Sequence, residues 1–319
     1  MLLGYVAAIV SGLAILVWSA DRFVDGASAI AQRAGITPML IGLTVVSVGT
    51  SSPEILISVM SVLAGSGELA VGNALGSNIA NVGLVLGITL LIAPIALRRS
   101  TTFIDLPLLI ASVLLTAYLI WDLELSRRDG FYLLGALSLF FLRIAQHVKN
   151  PADEGMTPAI PDLSAAKAWL SFGVGLLLLL ASSRLLVWSA TQIATALGVS
   201  ELIIGLTIVA VGTSLPELAA SVMSAIKGHA DMAIGAVVGS NMFNILLVLA
   251  IPGLWGNLSL APEVLSRDLA TVFLTTLLLA LAALWGWNQS KGCGELKRGT
   301  GFVLLTCYIG YYFWLLDSS

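Results

Sequence analysis

Apolar runs long enough to cross a bilayer recur along the whole chain, separated by short polar segments. The pattern predicts ten membrane helices, over roughly 2–20, 38–63, 68–92, 103–121, 130–148, 167–190, 201–226, 231–254, 268–287 and 299–316. The first run lacks a basic leader and a small-x-small cleavage site, so it reads as a retained helix. Composition agrees: 58% of residues are hydrophobic and 10% charged, against about 25% charged in soluble domains. The expected class is an all-α integral membrane protein.

Loop charge predicts orientation. With the N-terminus outside, the inner side carries Arg22, Arg33, Arg98, Arg99, Arg143, Lys149, Lys167, Lys227, Lys291, Lys297 and Arg298, and the outer side Arg127, Arg128, Arg184 and Arg267. That asymmetry follows the positive-inside rule and puts both termini on the non-cytoplasmic face of a multi-pass protein of the cell or inner membrane. Cys293 and Cys307 are too few for a disulfide framework. His147 and His229 read as solvated loop or helix-end residues.

The chain contains an internal duplication. Residues 42–81 align with 205–244 without a gap, identical at 21 of 40 positions. A shared Val-Trp-Ser-Ala lies upstream in each copy, Val17 to Ala20 and Val187 to Ala190. Two halves follow, 1–148 and 167–319, joined by a Pro-rich polar linker over 149–166 that is expected in the cytoplasm. Five helices per half is an odd number, so the second half enters the membrane upside down. That predicts two inverted five-helix repeats with a site near the midplane.

Each copy carries the same chemistry. Gly49-Thr50-Ser51-Ser52-Pro53-Glu54 matches Gly212-Thr213-Ser214-Leu215-Pro216-Glu217. Each glutamate is followed 27 residues later by the last residue of a Gly-Ser-Asn-x-x-Asn, Asn81 or Asn244. A mid-membrane carboxylate persists only with a partner or a purpose. Of the 18 acidic residues, only Glu54 and Glu217 fall mid-membrane in these spans. Pro53 and Pro216 cannot donate to the carbonyls of Gly49 and Gly212, which frees those oxygens for another partner, an ion among the candidates. Thr50 shares a helix face with Glu54, Ser77 with Asn81, Thr213 with Glu217 and Ser240 with Asn244. An all-oxygen set suits Ca²⁺ or Na⁺ and lacks the nitrogen and sulfur that zinc or copper prefer. Gly72-x-x-x-Gly76 and Gly235-x-x-x-Gly239 predict close helix packing. Ser58 and Ser221, one turn after the glutamates, read equally as support for the site or as helix back-bonders. Asn73 and Asn78 read as interhelical hydrogen-bonders and Asp21 as interfacial.

These paired motifs resemble the alpha repeats of the calcium/cation antiporter superfamily, and within it the compact prokaryotic sodium/calcium exchangers. The resemblance covers essentially the whole chain. It implies that Glu54 and Glu217 are the central Ca²⁺ ligands, shared with Na⁺, and that Thr50 and Thr213 add oxygens. It further implies that Ser51, Ser214, Ser77 and Ser240 line flanking Na⁺ sites, with backbone carbonyls from Ser47 and Ala210. Asn81 and Asn244 would complete the centre. Some relatives, including potassium-dependent ones, carry Asp where this chain has Asn244, which argues against potassium co-transport here. The first and sixth helices of such proteins are thought to slide against the rest.

The expected function is Ca²⁺/Na⁺ antiport by alternating access, with a Ca²⁺ (or other divalent cation)/H⁺ antiporter as the alternative. Expected partners are inorganic cations and the lipid bilayer, with no nucleic acid, no obligatory protein partner and no cofactor beyond the transported ions. An intramembrane protease would need a serine with a histidine base, or paired aspartates, mid-membrane. A channel filter would usually come from a subunit ring. No histidine or aspartate falls mid-membrane in these spans, and the paired motifs predict a pseudo-symmetric site inside one polypeptide.

Overall fold

The computed structural model describes residues 2–149, 163–198, 208, 210–290 and 292–317. It is mostly helical. In chain order the helices are α1 (Leu2–Ala34), α2 (Pro38–Thr50), α3 (Ser52–Leu63), α4 (Gly67–Ile92), α5 (Thr101–Leu119), α6 (Arg127–Lys149), α7 (Ala165–Ala196), α8 (Ala210–Thr213), α9 (Leu215–Ile226), α10 (Ala230–Trp255), α11 (Val264–Trp285) and α12 (Arg298–Asp317). Six of them, α1, α4, α5, α7, α10 and α11, are each long and apolar enough to cross a membrane. The pair α2 and α3 makes a further span bent by 43°. The start of the seventh expected helix, residues 201–207 and 209, and linker residues 150–162 lie outside the described residues.

Helices α1 and α7 have 33 and 32 residues, roughly 50 Å each against a hydrocarbon core of about 30 Å. They run well past the expected spans, so Arg22 and Arg184 are helix residues rather than loop residues. Arg143 and Arg267 likewise sit inside α6 and α11. The guanidinium of Arg22 lies 5.6 Å from the centre of the Trp18 ring.

Packing fixes relative directions. Tyr5 meets Trp188 edge-on at 5.4 Å, Ser171 donates to the Arg22 carbonyl at 2.8 Å, and Arg33 Nε donates to the Leu163 carbonyl at 2.7 Å. As α1 advances, its partners on α7 retreat, so the two helices are antiparallel. Gly26 lies directly against the backbone of Phe172 in this contact. By contrast α2 and α10 run parallel. A Cβ on Gly235 would meet the Met39 carbonyl at 2.6 Å, and one on Gly239 the Leu43 carbonyl at 2.6 Å. The expected close approach of small residues is thus realised by Gly235 and Gly239. The equivalent partners of Gly72 and Gly76, at 202 and 206, lie outside the described residues.

Element boundaries repeat at one spacing. Helices α9 and α10 begin 163 residues after α3 and α4. Wide, π-type turns over Asn81–Leu86 and Thr101–Asp105 recur over Asn244–Val248 and Val264–Leu269 at the same interval. Short strands were not expected. They are β1 (Ile95–Leu97), β2 (Glu124–Leu125), β3 (Leu258–Ser259), β4 (Trp287–Asn288) and β5 (Cys293–Leu296). Strand β1 pairs antiparallel with β5, which also pairs with β4, and β2 pairs with β3. Each sheet therefore ties a connection of one half to a connection of the other.

Two apolar clusters result. The larger is built from α4, α5, α6, α10, α11 and α12 around Ile79, Leu86, Val237 and Phe243. The smaller joins α1 and α7 to α2 and α9 through Phe23, Ile41 and Phe172. Helix α1 packs against α7 more than against any other element.

Candidate cation site

Each motif glutamate sits where a helix is broken. Ser51 and Ser214 interrupt the helical backbone, with ψ near zero, and Pro53 and Pro216 occupy the first turn of α3 and α9. Glu54 and Glu217 lie in those same first turns, where the positive end of the helix dipole favours a carboxylate. Both are buried, 1% and 2% exposed. Proline thus opens the chain and also supplies the half-helix terminus that makes a buried carboxylate tolerable.

Two serines accept the consequence of the missing proline N–H. The Ser52 hydroxyl donates to the Gly49 carbonyl at 2.7 Å, and Ser183 of α7 donates to the Gly212 carbonyl at 2.8 Å. These carbonyls are therefore not bare, as the sequence left open.

The halves meet at the glutamates. Ser51, from the first motif, donates to Glu217 Oε1 at 3.3 Å. Thr50 donates to the Val46 carbonyl at 3.1 Å and also reaches toward Glu217. Ser77 of α4 donates to Glu54 Oε1 at 3.5 Å. Ser51 stands three residues before Glu54, so the contact with Glu217 joins the two motifs. The two motifs and the asparagine segments that follow them hold buried atoms with no hydrogen-bond partner among the described residues: Glu54 Oε2, Glu217 Oε2, Asn81 Oδ1, Ser214 Oγ, Ser240 Oγ and both ends of the Asn244 amide. Leaving each unsatisfied costs about 1–3 kcal/mol. Six of these seven atoms are oxygens, the Asn244 Nδ2 donor being the exception, and oxygen is the ligand a hard, dehydrated cation needs.

Asn81 and Asn244 open the wide turns Asn81–Leu86 and Asn244–Val248. Such turns shift the backbone register at functional positions. Ser47 is buried, with its hydroxyl on the Thr44 carbonyl at 3.0 Å and its own carbonyl accepting from Ser51 N at 2.9 Å. Thr213 lines a cavity of about 410 Å³ together with Pro53, Ser183, Arg184 and Pro216. Ala210 opens α8, and its side chain lies outside the described residues.

The supporting residues depart from expectation in several places. Asn73 does bond between helices, to the Glu54 carbonyl at 3.4 Å. Asn78 instead donates within its own helix, to the Ala74 carbonyl at 2.7 Å, and its backbone carbonyl accepts from Asn241 at 3.4 Å. Ser58 bonds the Val248 carbonyl at 2.9 Å, across to the other half. Asp105 and Asp268 are buried within α5 and α11, against Arg143 at 3.2 Å and Arg267 at 2.7 Å. They are equivalent positions at the same spacing, a signal that extending the alignment past residue 81 reveals. His229 is only 1% exposed, not solvated. The side chain of His147 lies outside the described residues.

Comparison with known proteins agrees with this geometry. The family model described as "Sodium/calcium exchanger protein" matches residues 4–145 and 167–316. The chain is 38% identical over 319 residues to the inner membrane protein YrbG of Escherichia coli, covering 97% of this chain and 95% of YrbG. It is 30% identical over 363 residues to the sodium/calcium exchanger MaX1 of Methanosarcina acetivorans, covering 94% and 95%. The solved structure of the sodium-calcium exchanger NCX_Mj superposes with a TM-score of 0.82 at 32% identity, covering 97% of both chains.

Proposed function

Because the chain belongs to the sodium/calcium exchanger family, whose members are cation transporters and not enzymes, we propose that it exchanges Ca²⁺ for Na⁺ by alternating access. In this reading Glu54 and Glu217 grip one Ca²⁺ between them, with Thr50, Thr213, Asn81 and Asn244 adding neutral oxygens. Ser51, Ser77, Ser214 and Ser240, with the carbonyls of Ser47 and Ala210, hold Na⁺ at flanking positions. The observation that carries the reading is the crossing of halves. A hydroxyl of the first motif rests on the glutamate of the second, beside a second buried carboxylate and a set of unpartnered oxygens.

Charge explains the exchange. Two carboxylates balance one Ca²⁺ or two Na⁺, whereas an empty site leaves two buried charges unpaired. Loading one ion type outward and another inward avoids that state. Ten spans in two inverted repeats give the site two equivalent exits. The antiparallel packing of α1 on α7, which share the Val-Trp-Ser-Ala sequence, supports the inversion. The cation asymmetry of the chain supports termini on the non-cytoplasmic face.

Everted vesicles test the coupling ion. Calcium accumulation driven by an imposed sodium gradient at constant pH is the expected result. Accumulation driven only by a pH gradient would replace Na⁺ by H⁺ in this scheme, and gradient-independent flux at channel rates would remove antiport altogether.

A further inference from the structure

The two mouths of the site are built differently. On one side, the cavity lined by Pro53, Ser183, Arg184, Trp188, Thr191 and Thr213 leads from the broken helices toward the C-terminal half of α7, beside the N-terminal end of α1. On the other side α9 runs ten residues from Glu217 to Lys227, about 15 Å or half a bilayer core. At that end the Lys227 ammonium lies 2.6 Å from Asp21 Oδ1 and 2.5 Å from Asp25 Oδ1, and also donates to the Asp21 carbonyl at 3.2 Å. Asp21 and Asp25 stand four apart on one face of α1, so a single cation gathers both.

Behind this ion pair the buried face of α9 is polar and unsatisfied. Ser221 and Ser224 follow Glu217 at helical spacing, 0% and 1% exposed, and neither hydroxyl has a partner among the described residues. His229 Nδ1, at the end of the row, has none either. A dry packed interface does not leave a row of such groups, but a closed water path does. The other half lacks both features. Ser58, the equivalent of Ser221, is bonded to the Val248 carbonyl. The positions matching Lys227, Asp21 and Asp25 are Ala64, Thr191 and Thr195.

We propose that Lys227 is a one-sided latch, holding α1 against the α9–α10 turn and shutting the path along Ser221 and Ser224 while the opposite mouth stands open. An inverted repeat with identical halves would populate its two facing states equally. The Lys227 pair, whose equivalent positions in the other half carry no charge, breaks that balance toward the state in which this mouth is closed. The inference rests on the alternating-access reading above.

The test uses the full chain in vesicles, with Cys293 and Cys307 replaced by Ala, and one reporter at a time, S224C or T191C. A membrane-impermeant thiol reagent is applied from the face that carries Lys227 for S224C and from the opposite face for T191C. With the latch intact, S224C is protected and T191C reacts. K227A is expected to speed S224C labelling by about tenfold and to slow T191C labelling, and K227R is expected to restore the native rates. D21N/D25N should reproduce K227A, which guards against a folding defect in either variant. S224C rates unchanged in both, in protein that still moves calcium, overturn the latch. Labelling does not depend on the cargo. A native chain that moves no calcium, together with reporter chains that still show the labelling shift on K227A, would instead overturn the transport reading and leave the latch standing.

Discussion

The two copies of the motif share all but one of their six residues, Ser52 being matched by Leu215, and have different partners. In the first half Glu54 accepts from Ser77, the Gly49 carbonyl is covered by Ser52 across the break in the same bent span, and Ser58 is anchored on Val248. In the second half Glu217 accepts from Ser51 across the interface, the Gly212 carbonyl is covered by Ser183 of α7, and Ser221 is unpartnered. Composition is nearly symmetric; bonding is not. Part of the difference lies in the residues, since Leu215 stands where Ser52 would be matched and offers no hydroxyl; the rest, Ser58 against Ser221, is a difference of packing between like residues.

The largest effect comes from removing the element common to both copies. E54Q or E217Q leaves one buried carboxylate facing a divalent ion alone, a loss of roughly 3–5 kcal/mol, or about 100- to several-thousand-fold. Calcium flux in vesicles should fall by that order for either variant. Flux within tenfold of native for one of them would show that only the other glutamate carries the ion.

Next comes the helix contact that brings the halves together. G239A forces a methyl toward the Leu43 carbonyl and the Ser47 hydroxyl, each 2.6 Å from the new atom. Backbone cannot yield cheaply, so a cost of about 1–3 kcal/mol is expected, with lost flux. G135A is the control, since a Cβ there meets nothing within 4 Å and helix propensity favours Ala by up to about 1 kcal/mol. Equal thermal midpoints in detergent for the two variants would contradict the close approach.

A finer test of the asymmetry is S58A against S221A. Removing Ser58 strips the Val248 carbonyl of a buried donor, costing about 1–3 kcal/mol. Removing Ser221 deletes a hydroxyl that bonds no described residue, so its stability change should stay within about 0.5 kcal/mol. Matched losses would mean that the two halves are bonded alike.

Much of this arrangement was legible in the chain. The duplication, the buried glutamates and their hydroxyl and amide neighbours all follow from local sequence, and the broken helices follow from Pro53 and Pro216. The wide turns at Asn81 and Asn244 were not legible, because a one-residue slip in backbone bonding leaves hydropathy unchanged. Ser183 was missed because α7 aligns with α1 at a spacing of 170, so its hydroxyl falls opposite Leu13 and carries no repeated signal. Asp105 and Asp268 sit near the ends of apolar runs, where sequence alone cannot separate a buried ion pair from an interfacial charge. The burial of His229 is a tertiary effect: the residue reads as a loop histidine, yet in the fold it is buried, with Asp25 of α1, Lys227 and Asp231 near enough to act on its charge.

His229 supplies the smallest of these effects, and it belongs to the second half alone, since the matching position is Ser66. Burial lowers its pKa from 6.5. Asp231 and Asp25 oppose that shift, and Lys227 adds to it. The unfolded chain therefore takes up a proton near pH 6.5 that the folded chain resists. Stability should be constant above that value and fall as pH drops through 6.5 toward the lowered folded value, by at most about 1.4 kcal/mol per pH unit. H229Q removes this proton uptake while leaving other titrating groups in place. The fall in thermal midpoint between pH 7.5 and 5.5 should then be smaller in H229Q than in native protein by on the order of 2–4 °C. Parallel midpoint curves for the two proteins would mean that the imidazole takes up its proton as readily in the folded chain as in the unfolded one, and that the polar row behind Lys227 is already open to water.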